Sequence, residues 1–364
     1  MRIAVVGGGI FGCTAAIHLR RAGYLVHLHE QHHDIMIAAS GINQYRLHEG
    51  YHYPRSLDTA LECRRGNRSF REEYGMAVID GGRQFYALVS PEGGGLTTAD
   101  DYRAFCETVG LPCVWDSAKG LWGGSLRLML KIAVKEGRIH PTRLRHLVRT
   151  KLLEAYVRQH LGTPAPPKLR DDYDRIIVAA YAGTNRVLAE LGCPTRPYQF
   201  EVCEKPVVRM PDWFGRDIGA VVMDGEFGCI DPFAETGLHV LGHVKHAVHS
   251  RNVGFEPEIP DHLAGYIDHA IVGEPAGTRF KAFIDDMVEF IPSLREAKHV
   301  GSMFTVRAVL ADQDETDARP TMVERLDDQV IRVFSGKIGT CVEAARDVAA
   351  LLDDVSRPVM AAAN

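Results

Sequence analysis

Gly7, Gly9 and Gly12, with Glu30 a short way downstream, are the residues whose types and spacing point most directly to chemistry in this chain. A diphosphate is held well by backbone N–H groups at the mouth of a helix, where the dipole favours negative charge. Reaching that mouth from a buried strand takes a sharp turn, which Gly7 permits. Gly9 lets the phosphates approach the backbone, and Gly12 lets helix and strand pack closely. Ile10 and Phe11 fall at the start of the helix and join this binding set. An acid at position 30 accepts hydrogen bonds from ribose hydroxyls and repels a 2′-phosphate, so NADP is disfavoured; Gln31 belongs beside it. These residues leave NAD and FAD both open.

A second group follows. Ala38 to Gly50 is rich in small residues that let backbone approach a ligand, with Ser40, Asn43 and Arg46 among its polar members. It runs into Tyr51-His52-Tyr53-Pro54-Arg55, a dense cluster of hydrogen-bonding side chains. Arg46 and Arg55 suit either the diphosphate or an acidic substrate. The chain holds 17 histidines, and two groups invite a metal reading. His243, His246 and His249 recur every third residue, which on a strand puts neighbours on opposite faces. His27 and His29 share a face, beside the helix that follows the glycines, with His32 and His33 next to them. Neither group comes with an H-E-x-x-H or Cys/His signature, so no metal is expected.

Several elements must position these residues. Ile3 to Val6 is short, apolar and partly β-branched, as a strand buried on both faces requires. Thr14 to Ala22 reads as a helix with Ala15, Ala16 and Leu19 on the sheet and Gly23 as its stop, and Tyr24 to Leu28 as the next strand. Ser56 caps a helix ending at Gly75, and Thr98 with Asp101 resembles a capping box for a helix closed by Gly110. Pro141 suits the first turn of a helix lined by Leu144, Leu147, Val148 and Leu152. Arg175 to Ala180 is a buried strand that turns at Tyr181-Ala182-Gly183-Thr184-Asn185. From Tyr198 to His249 alternating segments predict an antiparallel sheet. Phe280, Phe283, Ile284, Met287 and Ile291 form a packing stripe at helical spacing. Near the end come a strand carrying Arg307, a strand Val330 to Phe334, and Gly336-Lys337-Ile338-Gly339-Thr340 opening a last helix.

A chain of 364 residues, 46% hydrophobic and 24% charged, has room for two domains and a large core. A net charge of −5 with basic residues spread along the chain gives no nucleic-acid or anionic-membrane surface. No apolar run approaches a membrane span, and the first residues enter a strand instead of a signal peptide, so a cytoplasmic protein is expected. The eight cysteines show no C-x-x-C pair or metal spacing and read as reduced thiols, mostly core.

The order of glycine fingerprint, Glu30 and Ser40-Gly41-Ile42-Asn43 resembles the D-amino-acid oxidase superfamily of FAD enzymes, which includes glycine oxidase, sarcosine oxidase and D-amino-acid dehydrogenase. His48-Glu49-Gly50-Tyr51-His52-Tyr53-Pro54 is similar to a stretch of its L-2-hydroxyglutarate oxidase branch. The resemblance implies an α/β FAD-binding Rossmann-like domain interleaved with an antiparallel-sheet α+β substrate domain. Residues 1–75, 137–196 and 300–364 would form the former, and 76–136 and 197–299 the latter. Gly183 falls where a further turn completes the FAD domain. Gly336 to Thr340 would aim a helix N-terminus at the flavin pyrimidine, where reduction leaves negative charge. Most members carry a histidine where Lys337 stands, and Lys337 would add a full positive charge there. The family also has a hairpin between the Pro141 helix and the Arg175 strand, whose first strand flanks the adenine; this chain has a shorter connection.

The implied reaction removes a hydride from a carbon bearing an amine or hydroxyl of a small polar substrate, with oxygen, a quinone or a protein as electron acceptor. Arg307 matches an arginine that clamps substrate carboxylates, a role its planar fork suits, although an ordinary ion pair fits equally. His48, His52 and Tyr53 would line the reactive face, with a histidine accepting a proton. An NAD-linked dehydrogenase, a protein in which FAD is only structural, and a His-rich metal protein are the rival readings.

Overall fold

Arg2–Val6 lies inside a six-stranded sheet of the computed structural model, which describes residues 1–116, 118–311, 319–334 and 336–353. Across the sheet the order is Met322–Arg325, Val330–Phe334, Arg175–Val178, Arg2–Val6, Leu25–Glu30 and Arg158–Leu161. All neighbours are parallel except the first pair. The short apolar strands are buried on both faces because helices cover both. Ile3, Val5, Val26, Leu28 and Ile177 pack on one side against the helices Ile10–Arg21, Pro141–Glu154 and Cys341–Asp353. On the other, Ala4, Val6, Ile176 and Val178 meet Leu169, Tyr173, Val187 and Leu188.

Two differences from the sequence reading bear on the site. The first helix begins at Ile10 and not at Thr14, because Gly9 already serves as its N-cap and the Ser40 hydroxyl accepts the Ile10 N–H at 3.0 Å. The short connection between the Pro141 helix and the Arg175 strand holds a strand of its own: Arg158–Leu161 pairs with Leu25–Glu30, placing Leu161 opposite Glu30.

A nine-stranded sheet holds the long strands Tyr198–Arg209 and Lys298–Val309, paired antiparallel from Gln199↔Val309 to Arg209↔Lys298. The antiparallel expectation holds for most of it, but Ile218–Met223 runs parallel to Arg83–Val89. The expected packing stripe is real: Phe283, Met287 and Ile291 are buried with Phe85, Ala220 and Ile230. A third, small sheet joins Arg46–Leu47 to Gly137–Ile139 and Val78–Ile79, and so fixes the loop after the glycines to the strand after Glu136. All eight cysteines are free and only Cys113 is not buried. Among the described residues no helix is long and apolar enough to cross a membrane.

The turn tolerates no side chain at two of its glycines. A Cβ on Gly12 would stand 1.9 Å from the Gly7 carbonyl oxygen, and one on Gly7, where φ is +113°, 2.4 Å from that of Ala179. At Gly9 the nearest atom is the Ser40 hydroxyl, 3.2 Å away. Gly12→Ala is therefore expected to lower stability by about 3 kcal/mol or more, since backbone must move, and Gly9→Ala by well under about 1 kcal/mol. Urea unfolding of both variants checks the contrast.

Candidate active site

At the glycine turn, Glu30 is pinned from two sides: Gly8 N–H donates to Oε2 at 2.5 Å and His32 N–H to Oε1 at 2.8 Å. The carboxylate thus stands at the helix mouth with one edge of the turn already bound. Asn43 shapes the neighbouring loop, donating to the carbonyls of Ala39 and Ser40 and accepting the Tyr45 N–H at 2.7 Å. Gln31 is engaged by Arg186, whose Nη2 donates to it at 2.6 Å. Gly183 closes the short turn before the helix Thr184–Glu190, and the buried Thr184 hydroxyl there has no hydrogen-bond partner among the described residues. A strand end, a turn that excludes any Cβ at Gly7 and Gly12, a pinned acid and a buried spare hydroxyl together make a donor set that fits a dinucleotide.

The far end of the chain meets this region. The Gly339 carbonyl lies 2.9 Å from where a Cβ on Gly66 would stand, and a Cβ on Gly339 itself would stand 3.1 Å from Leu47. Ile338–Thr340 is a single tight turn leading into the last helix, and the Thr340 hydroxyl donates to the Lys337 carbonyl at 2.9 Å. Gly336 is exposed. Lys337 does not present the free charge expected of it. Its buried ammonium donates to Glu62 at 2.7 Å and to the Arg319 carbonyl, and lies 5.9 Å from the Tyr53 ring centre.

Between loop and large sheet runs a chain of buried polar groups. Arg46 pairs with Asp231 at 3.3 Å and donates to the Tyr86 hydroxyl at 3.2 Å and to Cys229 Sγ at 3.3 Å. It is committed to this network, contrary to the expectation that it would neutralise a diphosphate or a substrate. Tyr86 donates to Glu136 at 2.5 Å, and Glu136 also accepts the Glu49 N–H at 2.9 Å and faces His48 Nδ1 at 3.6 Å. Burial would raise the Glu136 carboxyl, but hydrogen bonding and charge from His48, with Arg46 and Tyr86, overcome it and hold the group at about 2. His48, His52 and Tyr53 cluster with ring centres 5.6 to 5.8 Å apart. Arg55 is turned away to Asp224, 3.0 Å from it.

On the large sheet, Arg307 stands opposite Glu201, and its Nε donates to Glu201 Oε2 at 2.7 Å, with Nη2 bound to the same oxygen. The ion-pair alternative therefore describes this arrangement. Glu201 is 1% exposed and also meets Arg251 at 3.2 Å. Along the same strand, alternation puts Glu201, Cys203 and Lys205 on one face. Burial pushes the Lys205 ammonium below its ordinary value, and the charges of Arg307 and Arg46 push the same way. Among the described residues no carboxylate pairs with Lys205.

The sequence reading missed Tyr86, Glu136, Lys205 and Asp231. Glu201, Cys203 and Lys205 did leave a signal, an alternating polar stripe in an otherwise apolar strand. Glu136 and Asp231 left none, since their partners come from distant segments. The histidines also differ from expectation. The strand ends at His243, and a turn brings His246 back so that the two rings lie 4.5 Å apart, both facing Asp286. His243 Nδ1 accepts the N–H groups of Lys245 and His246, which places its proton on Nε2, toward Asp286.

Residues 2–321 match the family model described as DAO, FAD dependent oxidoreductase. A relative named FAD-dependent monooxygenase kojA, from Aspergillus flavus, is 27% identical over 98% of this chain and 87% of its own length. Glycine oxidase from Geobacillus kaustophilus superposes with a TM-score of 0.71 at 15% identity, covering 97% of this chain and 95% of that one. L-α-glycerophosphate oxidase from Mycoplasma pneumoniae, dithionite reduced with FAD bound, gives 0.70 at 13% identity over 97% and 94%.

The Glu136 carboxyl falls from an ordinary value of 4.5 to about 2 on folding, so the stability it contributes is present above pH 4.5 and is lost as pH falls toward 2. Glu136→Gln is expected to cost about 3 kcal/mol at pH 7, with the gap to the parent protein closing between pH 4.5 and 2. Denaturant midpoints across that range measure it.

Proposed function

The chain belongs to the DAO family of FAD dependent oxidoreductases, and on that premise we propose that it withdraws a hydride from a carbon bearing an amine or hydroxyl in a small, carboxylate-bearing substrate. FAD, when bound, supplies the two-electron acceptor. The residues that would hold it are Gly7 to Gly12 with Ser40 for the diphosphate, Glu30 and Gln31 for the ribose, Gly183 nearby, and Ile338 to Thr340 at the ring end. Arg46, Asn43 and Lys337 act behind these, holding loop and turn in place.

The observation that carries the reading is Lys205. A half-buried ammonium without a carboxylate partner among the described residues, on the same strand face as Glu201 and with its charged form disfavoured by burial and by Arg307, is completed by an anion. A substrate carboxylate answers that requirement, with Lys205 as its counter-charge and Arg307 turning part of its fork from Glu201 toward it. His48 would take the proton of the substrate amine or hydroxyl on Nε2, because Nδ1 faces Glu136 and the carboxylate stabilises the resulting cation. His52 and Tyr53 pack against His48, with ring centres 5.8 Å from it. The free cysteines agree with a cytoplasmic setting. Oxygen, a quinone or a partner protein would then accept the electrons.

The relative's name favours a second reading, in which an external nicotinamide supplies electrons and oxygen is inserted into the substrate. Anaerobic mixing separates the two. Bleaching of the flavin by an amino acid, N-methyl amino acid or 2-hydroxy acid alone supports dehydrogenation, and bleaching only by a nicotinamide supports oxygen insertion. Bleaching by neither would leave FAD a structural part and overturn both. With a reducing substrate in hand, Lys205→Met and Arg307→Ala should each raise KM about tenfold or more while FAD content stays intact. Gly9→Val should do the reverse, releasing FAD.

A further inference from the structure

The six-stranded sheet carries, on the face away from its first helix, a polar cluster that the proposed reaction does not use. His27 and His29 alternate along Leu25–Glu30 and are 4% and 5% exposed. His160, on the neighbouring strand, is the register partner of His29, and the two rings stack at 4.6 Å and 6°. His27 Nδ1 lies 3.3 Å from His160 Nε2. The Tyr173 hydroxyl sits 2.9 Å from His27 Nδ1 and 3.0 Å from His29 Nε2. Beside them opens a cavity of about 330 Å³, walled further by Thr163, Pro164 and Pro166.

We propose that His27, His29 and His160, with Tyr173 as fourth donor, bind one zinc-like divalent cation. Three imidazoles each offer a nitrogen within 4.8 Å of the others, and a tetrahedral ion with bonds of about 2.0–2.1 Å separates its donors by roughly 3.3 Å. Two of the spacings already present are slightly shorter than that and one equals it, and the stacked His29 and His160 rings must turn out of parallel for both to reach one ion. The Tyr173 hydroxyl, within 3.0 Å of both His27 and His29, supplies the fourth donor, and the Arg2 guanidinium lies 4.7 Å over its ring. Arg2 and Arg158 are exposed at the cavity rim, where water screens their repulsion of the ion. Such an ion would tie the strand Arg158–Leu161 to the one ending at Glu30.

The competing occupant is an anion held by the two arginines, and one experiment separates them. Flavin-loaded protein, stripped with a chelator and desalted, is titrated with Zn²⁺ alone and with inorganic phosphate alone, following metal stoichiometry and thermal midpoint. One Zn²⁺ per chain with a raised midpoint is expected. His160→Ala and His29→Ala should each weaken it about tenfold or more with FAD content unchanged, while His246→Ala leaves it intact. No zinc uptake, zinc uptake equal in all three variants, or stabilisation by phosphate but not by zinc would overturn the proposal. Because stoichiometry is read without substrate, failure here leaves the proposed reaction untouched, and the reverse holds too.

Discussion

Three stretches of backbone touch at the glycine turn with no side chain between them, and the rest of the molecule is arranged around that contact. The Gly12 position faces the Gly7 carbonyl and Gly7 faces that of Ala179, so the first helix, the first strand and the end of Arg175–Val178 are brought to a common point. At the turn and helix mouth the His29 carbonyl takes the Gly7 N–H, Glu30 that of Gly8 and Ser40 that of Ile10. The same crowding sets where the loop after Ser40 must leave, and Asn43 holds it there by bonding to three backbone groups. A binding surface of this kind is made by removing atoms, which is why glycine spacing announces it.

What the loop reaches next is set by electrostatics in a low-dielectric interior. Arg46 is buried between the small sheet and the large one, where an unpaired guanidinium would be expensive. Asp231 answers it from one strand, and Tyr86 passes the remaining hydrogen bonding on to Glu136. His48 faces a carboxylate whose own position is fixed by Tyr86 and the Glu49 backbone. The network thus carries order from the large sheet to the histidine cluster without a rigid element between them.

Much of this was legible in the sequence, and the boundary between what was and was not has a physical cause. The turn, the buried strands, the Thr98 cap and the packing stripe at Phe283 and Met287 depend on residues near one another in the chain, so periodicity and residue type suffice. The helix starting at Ile10 was misplaced because its cap is a backbone group and a serine from a distant loop. The pairing of His243 with His246 depended on a turn that alternation alone does not reveal. Glu136, Tyr86 and Asp231 could not be seen at all, since a buried charge is recognisable only beside the partner that satisfies it.

The distribution of charge in the cleft carries the argument furthest. Lys337 is matched by Glu62, Arg46 by Asp231, Arg55 by Asp224 and Arg307 by Glu201. Each cation that the sequence offered for ligand binding is thus already balanced by an acid of the protein. Such pairs are retained because breaking one strands the other, so they give the cleft a fixed shape more than an affinity. Lys205 stands apart from this pattern: it is held among Cys203, Cys229 and two arginines, with its charged form already disfavoured by burial. One added negative charge would give it the kind of partner that its neighbours already have. The anionic group proposed for the substrate is the one that would supply this missing partner.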